Sequence, residues 1–419
     1  MQARCHRLRR FVATLVCALA LPGCGSDAPP LNLAAAPDAG AGVALNSEAV
    51  NVVFDSVAKS ALHTFTVPVY ALGVAAGAVI VGTESGVSSA TLEALSPMAS
   101  VGGTKPGWVR AMASRGSGLL VAAKGGLFHV SKGQLVLSGL NASVAKLTTG
   151  ALAVSGAGTD EVLWIAAQEG LHRVKGGKLE RVDVASSTAP IAVGVAGKTV
   201  LAAYADALYE VDAGAGSAVM APAEVGTISA IAVAGETAWL ASDLGLVRRA
   251  ANGTYTLWQL LDKDKKALSV VAVAALLDSA GVASSKGVLA LTTQGIVRCD
   301  GKTVTALSGL PKGVEPNELV VDRWGHAWVG GGGAVAALLV GQPPSFAKDV
   351  APVLKSACNV CHLGGSLAPK RDFSNYALVQ AISETVIERI ALGSMPPGTK
   401  LDDKDLQTIY GWYDSGMMP

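Results

Sequence analysis

Long apolar runs are missing from this chain. After an 11-residue stretch from Phe11 to Leu21, no segment approaches the roughly 18 consecutive apolar residues that a membrane-spanning helix needs. The longest candidates, near Val270 and Ala334, have the composition of strands. Long amphipathic helices are missing too, from about residue 47 to residue 340. Charge of one sign is absent: without the four arginines of the first ten residues, 29 basic residues stand against 32 acidic ones. That balance gives no basic surface for nucleic acid or for an anionic membrane. Histidine is thin, with His63, His129, His172 and His326 scattered through the middle of the chain, one to a repeat, where a multi-histidine metal site needs several together. No Ser-His-Asp arrangement, Gly-rich phosphate loop or cluster of calcium-binding acids stands out.

What fills the middle is Val, Ala, Gly, Leu and Thr in short runs broken by turns, which is strand material. A unit recurs: an apolar strand, a small-residue turn, a Gly and a further strand. It is seen in Val79-Ile80-Val81-Gly82-Thr83-Glu84-Ser85-Gly86-Val87, in Leu163-Trp164-Ile165-Ala166-Ala167-Gln168-Glu169-Gly170-Leu171, and in Trp239-Leu240-Ala241-Ser242-Asp243-Leu244-Gly245-Leu246. The marker positions 86, 126, 170, 207, 245, 295 and 333 are 37 to 50 residues apart, with Ala207 in the Gly place. A period near 40 built of short strands predicts seven β-propeller blades over residues 47–340. Ala49 to Phe54 is expected to supply the missing strand of the last blade, which ends near Leu339. Trp164, Tyr204, Trp239 and Trp328 at equivalent positions are expected to pack between blades, and Asp322 to Gly325 to form a strand-joining turn.

The strongest chemical signal is Cys358-Asn359-Val360-Cys361-His362, a C-x-x-C-H run. Thiols at that spacing can form thioethers to the two vinyl groups of a haem, with the adjacent imidazole placed to ligate iron. A thioredoxin-like redox pair would need a βαβ context, and a zinc site two more N or S ligands nearby; neither is found. From Gln342 onward His362 is the sole histidine, so a second axial ligand falls to sulfur. Met395, in Gly393-Ser394-Met395-Pro396-Pro397-Gly398, is carried by a proline-stiffened loop. The other reading of Met395 is a gap-filler where a helix ends; Met417 and Met418 lie at the terminus, where fraying is expected.

Helical spacing surrounds the motif. Phe346, Val350, Val353 and Leu354 precede it, with Pro352 able to open a turn. Ser374 can cap a second helix through Leu378, Ile382, Val386 and Ile390, and Asp402 or Asp403 a third through Leu406, Ile409 and Tyr413. Here the segment from Phe346 to about Gly416 resembles class I monohaem cytochrome c domains, through Phe-x(5)-Pro-x-Leu-x(3)-Cys-x-x-Cys-His, Met-Pro-Pro-Gly and a terminal helix with Trp412. The resemblance implies one covalent haem c on Cys358 and Cys361, with His362 proximal and Met395 distal to the iron. It implies a small all-α domain over 346–419, joined to the propeller by a linker at 341–345. The propeller repeat in turn resembles those of periplasmic sensor and quinoprotein-like proteins, including the form Asp322-x-x-Gly325-x-x-Trp328-Val329-Gly330.

The N-terminus gives the compartment. Arg4, Arg7, Arg9 and Arg10 precede the short apolar run, which ends Leu21-Pro22-Gly23-Cys24. This is similar to a bacterial lipobox and implies a lipoprotein signal over 1–23 and lipidation of Cys24. Pro22 departs from the usual residue there, which leaves ordinary signal cleavage nearby open. Residues 24–46, rich in Ala, Pro, Gly and Asp, read as a flexible tether. With Cys5 and Cys17 in the signal, Cys24 lipidated and two thiols on haem, Cys299 alone remains, so there is no disulfide framework. The chain is therefore expected to be a multidomain protein, a seven-bladed propeller followed by a cytochrome c domain. It is expected to sit at the periplasmic face or cell surface, anchored by lipid to the outer membrane, and to pass single electrons to a redox partner protein. The alternatives are a propeller dehydrogenase feeding its fused haem, for which the Ala-x-Asp-x-x-Thr-Gly docking repeats are missing, and a redox-linked sensor or binding module.

Overall fold

Strand, tight turn and strand, repeated with no more than single helical turns at Asn141–Val144 and Ala223–Val225 between them, leave antiparallel sheets with both faces apolar, and such sheets bury themselves against one another. The computed structural model of the chain, which describes residues 45–419 apart from short stretches (the longest 91–94, 99–104, 278–282 and 364–370), is a seven-bladed β-propeller. Blade 1 is Val69–Ala75, Ala78–Thr83, Val87–Ala90 and Leu95–Pro97. Blade 2 is Val109–Arg115, Gly118–Ala123, Gly126–Ser131 and Gln134–Leu137. Blade 3 is Thr149–Ser155, Val162–Ala167, Gly170–Lys175 and Lys178–Val182. Blade 4 is Pro190–Ala196, Thr199–Tyr204, Leu208–Asp212 and Ala218–Met220. Blade 5 is Ile228–Ala234, Thr237–Ser242, Gly245–Arg249 and Tyr255–Leu261. Blade 6 is Val270–Leu277, Ala283–Thr292, Gly295–Cys299 and Val304–Gly309. Blade 7 takes Glu318–Val321, Ala327–Gly331 and Ala334–Leu338, and its fourth strand, Ser60–Thr64, from the start of the chain.

The core is not one cluster but a ring of them, one between each pair of neighbouring blades. Along the second strand of blade 2, Leu119 and Val121 pack toward blade 1, while Leu120 and Ala122 pack toward blade 3. The period of two that puts alternate side chains on opposite faces thus serves two interfaces, and neither face is left for water. Trp239 and Trp258 close the interface of blades 5 and 6, Trp164 and Tyr204 that of blades 3 and 4, and Trp328 that of blades 7 and 1. Cys299 is fully buried in the blade 5–6 cluster. The marker glycines start the third strands. Gly126 and Gly245 have φ of 133° and 139°, a conformation closed to side chains. A Cβ at Gly245 would lie 2.2 Å from the carbonyl oxygen of Trp258 on the fourth strand.

Ring closure differs from the expectation. The strand that completes blade 7 is Ser60–Thr64, antiparallel to Ala334–Leu338, not Ala49 to Phe54. Leu45–Asn51 instead pairs in parallel with Tyr255–Leu261 and lengthens blade 5 at its outer edge. A parallel partner needs no hairpin, so a segment arriving from outside the ring can take that edge. His63 and His326 both fall on blade 7, so the histidines are not one to a blade.

The second expected fold, a multidomain arrangement with a small all-α cytochrome c domain over 346–419, is corrected. The chain is a mostly β propeller, and its C-terminal helices are few and short. They are Ala351–Ala357, Asn359–His362, Tyr376–Ala381, Ser383–Ala391 and Asp403–Asp414. The last alone reaches three turns, with 12 residues. Helices of one or two turns cannot offer one another the continuous apolar stripe of a bundle. They gather around one small cluster of Phe346, Val350, Leu354, Phe373, Val379 and Trp412 among others. The expected second helix is broken at Ile382, and its N-cap is Asn375, which accepts from the Leu378 amide at 3.1 Å, rather than Ser374. Among the described residues, no helix is long and apolar enough to cross a membrane.

Candidate functional site

The C-x-x-C-H run lies where the helix Ala351–Ala357 passes into the turn Asn359–His362. Pro352 opens that helix, and its last bond runs from the Cys358 amide to the Leu354 carbonyl at 2.8 Å. The Cys361 and His362 amides then both donate to the Cys358 carbonyl, at 3.2 and 3.0 Å. One helical turn therefore carries both thiols and the imidazole. Both thiols are free; Cys358 is half-buried against the apolar cluster, and Cys361 is exposed. Burial, then the neighbouring Cys361 thiol, push the Cys358 thiol up to about 11.

Asn359, within the motif, is buried and fixes this turn to the chain that follows. Its side-chain oxygen accepts from the Phe373 amide at 2.9 Å, and its side-chain nitrogen donates to Asp372 at 3.2 Å. Asp372 also accepts from the Ser374 hydroxyl and amide, and these bonds hold its carboxyl below the usual range. The result places the Phe373 ring against His362, centroids 4.8 Å apart and planes at 61°. Asn359 and Phe373 escaped sequence reasoning. A middle residue of C-x-x-C carries no pattern of its own, and its partners lie 13 and 14 residues on.

Met395 is on another turn. After Ser383–Ala391 the chain turns at Gly393 (φ 65°), and the Ser394 and Met395 amides both donate to the Arg389 carbonyl, at 3.0 and 3.2 Å. Its side chain is exposed. Cys358, Cys361 and His362 are thus brought together, while no described contact joins Met395 to them. Met417, expected to fray, is tied down: its amide donates to the Trp412 carbonyl at 2.8 Å, and its carbonyl accepts from the Tyr376 hydroxyl at 2.8 Å. Cys24 lies outside the described residues. The donor set suits a covalently held haem: two neighbouring free thiols on one turn, an imidazole beside them, and the exposed apolar side chains Val360 and Leu363 on the same stretch of chain. No group of three or more His, Cys, Asp or Glu among the described residues is arranged to hold a bare metal ion.

The thiols differ in a way that alkylation reads. Cys361 is exposed, whereas Cys358 is half-buried and pushed up to about 11, so in the haem-free chain near pH 8 Cys361 should react faster than Cys358, with the fully buried Cys299, also pushed up to about 11, slower still. Mass-spectrometric timing of iodoacetamide uptake checks the order; equal rates at Cys358 and Cys361 would contradict it.

In the propeller, Asp322 closes the turn before Ala327–Gly331. Its carboxylate accepts from the His326 amide and from the Trp328 indole, each at 2.9 Å. His326 is fully buried, and neither ring nitrogen has a hydrogen-bond partner among the described residues. Burial, against the pull of Asp322, keeps it below the usual histidine range, so the ring is neutral.

No protein-family model and no curated protein matches the sequence. Solved propellers match the fold. One is the extracellular domain assigned to a hybrid two component system of B. thetaiotaomicron, with TM-score 0.50 and 13% identity over 68% of this chain and 39% of that one. This chain therefore spans about two fifths of that domain's length. A streptogramin B lyase matches with TM-score 0.50 and 12% identity over 66% of this chain and 97% of its own. The WD40 repeats of RRP9 match with TM-score 0.51 and 13% identity over 68% and 99%. Likeness at such identities speaks for the architecture alone.

Proposed function

We propose that this chain is an extracytoplasmic electron carrier, with one haem attached through Cys358 and Cys361, ligated by His362 and Met395, and a propeller that docks the redox partner protein. The observation that carries this reading is the single helical turn holding two free thiols and His362, with the imidazole set against Phe373. When bound, the group supplies one-electron chemistry at iron. The chain's own residues do the rest: Asn359 fixes the turn, Phe373 limits rotation of the imidazole, and Val360 and Leu363 offer exposed apolar side chains that a bound haem would cover. Lipidation at Cys24 would hold the chain at the periplasmic face or cell surface, on the outer membrane. A second reading, a sensor or binding module, is favoured by the extracellular propeller domain of the hybrid two component system.

Full-length chain exported by a host that matures c-type haem should carry about one iron per polypeptide and keep its haem on a denaturing gel. A chain matured in that host without haem would overturn the electron-carrier reading and leave the binding module. Met395→Ala should abolish the near-infrared methionine-to-iron band and lower the midpoint potential, because a thioether ligand favours reduced iron. Met417→Ala should change neither. A band that persists in Met395→Ala removes Met395 as ligand.

A further inference from the structure

We infer that the cavity between blades 2 and 3 is a binding site for a small oxyanion bearing two or more negative charges. The cavity has a volume of about 230 Å³, and its rim carries Arg110, Lys124 and Lys146 with Thr148 and Thr149. That size lies below the roughly 300–1,000 Å³ of sites for drug-sized ligands, which points to a compact one. Lys124 belongs to the turn between the second and third strands of blade 2, and residues 146–149 lead into the first strand of blade 3. In an antiparallel blade these two kinds of connection emerge on the same face of the ring, so the cavity opens where consecutive blades offer loops.

Its charge is one-sided. No carboxylate lines it, and none of the three cations is ion-paired among the described residues. The Arg110 guanidinium lies over the Trp108 ring, 5.0 Å from its centroid, a contact that orients the group without cancelling its charge. The acid nearest in the described bonding is Glu169, which does not line the cavity. It accepts from the Thr148 amide at 2.9 Å; burial pushes its carboxyl up, but the bonds from Thr148 and from its own amide, with nearby His172, together bring it below the usual range. Three cationic residues therefore line the cavity, and a single carboxylate stands behind a wall residue. Like charges brought together repel, and an anion between them removes that cost while gaining charge-assisted hydrogen bonds from Arg110 and the threonine hydroxyls. The cavity beside blades 5 and 6, about 620 Å³, has Asp262, Lys263 and Asp264 on its wall and lacks this bias.

The inference does not depend on haem, and its test is made on the full chain whether or not the haem is bound. Titration calorimetry with citrate, inorganic phosphate and sulfate should give one saturable site for at least one of them, weakening as sodium chloride is raised. Citrate alone would mark a polycarboxylate ligand, and phosphate or sulfate a phosphoryl or sulfuryl one. Lys124→Gln and Lys146→Gln, both at exposed side chains that leave the fold intact, should each weaken binding at least about fivefold, as should Arg110→Gln, while Lys263→Gln at the other cavity should change it less than about twofold. No saturable binding of any of the three anions, or equal weakening by Lys263→Gln, would overturn the assignment.

Discussion

A chain with Cys358→Ala and Cys361→Ala, exported through the same c-type maturation route, should emerge with no covalent haem. Loss should be complete on a haem-stained denaturing gel, not partial, because Cys299 is the one other thiol among the described residues and it cannot substitute. Cys299 is fully buried between blades 5 and 6 and is pushed up to about 11, so it is neither reachable nor reactive. Each single variant keeps one thiol and should retain a reduced amount of covalent haem. Misfolding is a poor explanation for such a loss. Cys361 is exposed, and Cys358 touches the C-terminal cluster from its edge, so its truncation removes one atom at a cost of about 1 kcal/mol. The propeller is untouched by either change and reports its own folding by its unfolding transition. Covalent haem persisting in the double variant would end the proposal for these residues.

How far the sequence reveals this molecule depends on the kind of signal. Blade count is readable because the turn before the third strand has a chemical requirement in several blades, Gly86, Gly126, Gly170 and Gly245 all having positive φ, though Ala207 serves in blade 4. At Gly126 and Gly245 the backbone adopts φ values that only glycine tolerates, so the requirement is written in the residue type. Ring closure was not readable. Ser60–Thr64 and Leu45–Asn51 are both short and largely polar or exposed, and nothing local tells a closing strand from an added one; the partner in each case is more than 200 residues away. At the C-terminus, apolar spacing gave helices in the right places but could not register their interruption at Ile382, nor their failure to build a separate all-α domain. The candidate site divides the same way. Cys358, Cys361 and His362 are contiguous and announce themselves, whereas Asn359 and Phe373 act through a tertiary bond that leaves no periodic trace. A position near the end of the chain suggests fraying at Met417, yet two hydrogen bonds hold its backbone in place.

Arg249→Met should lower the unfolding free energy by roughly 3 kcal/mol, a large fraction of the stability of an ordinary domain. Arg249, on the third strand of blade 5, is buried and donates through two nitrogens to Glu210 of blade 4, at 2.8 and 2.6 Å. Tyr255 donates its hydroxyl to the same carboxylate at 2.5 Å. The three groups clasp adjacent blades at a place where the core is otherwise apolar. Without the guanidinium, the Glu210 carboxylate is left in low dielectric with one donor; because it keeps 23% of its side-chain exposure, the cost falls toward the lower end of the range for broken buried pairs. Arg181→Met is the comparison, since its partner Asp183 is 3.7 Å away and both are exposed, and it should cost less than about 0.5 kcal/mol. The clasp also carries a pH signature. Burial, and then the Glu210 charge, push the Tyr255 hydroxyl well above its ordinary value, so the folded chain keeps a proton that the unfolded chain releases near pH 10. That contribution is fully present below pH 10 and is lost as the pH rises beyond it; Tyr255→Phe should flatten the decline between about pH 10 and pH 11. Urea unfolding of the three variants across this range measures all of it. A change below about 1 kcal/mol for Arg249→Met would mean that the blades hold together by their apolar interface alone and that the ion pair is incidental.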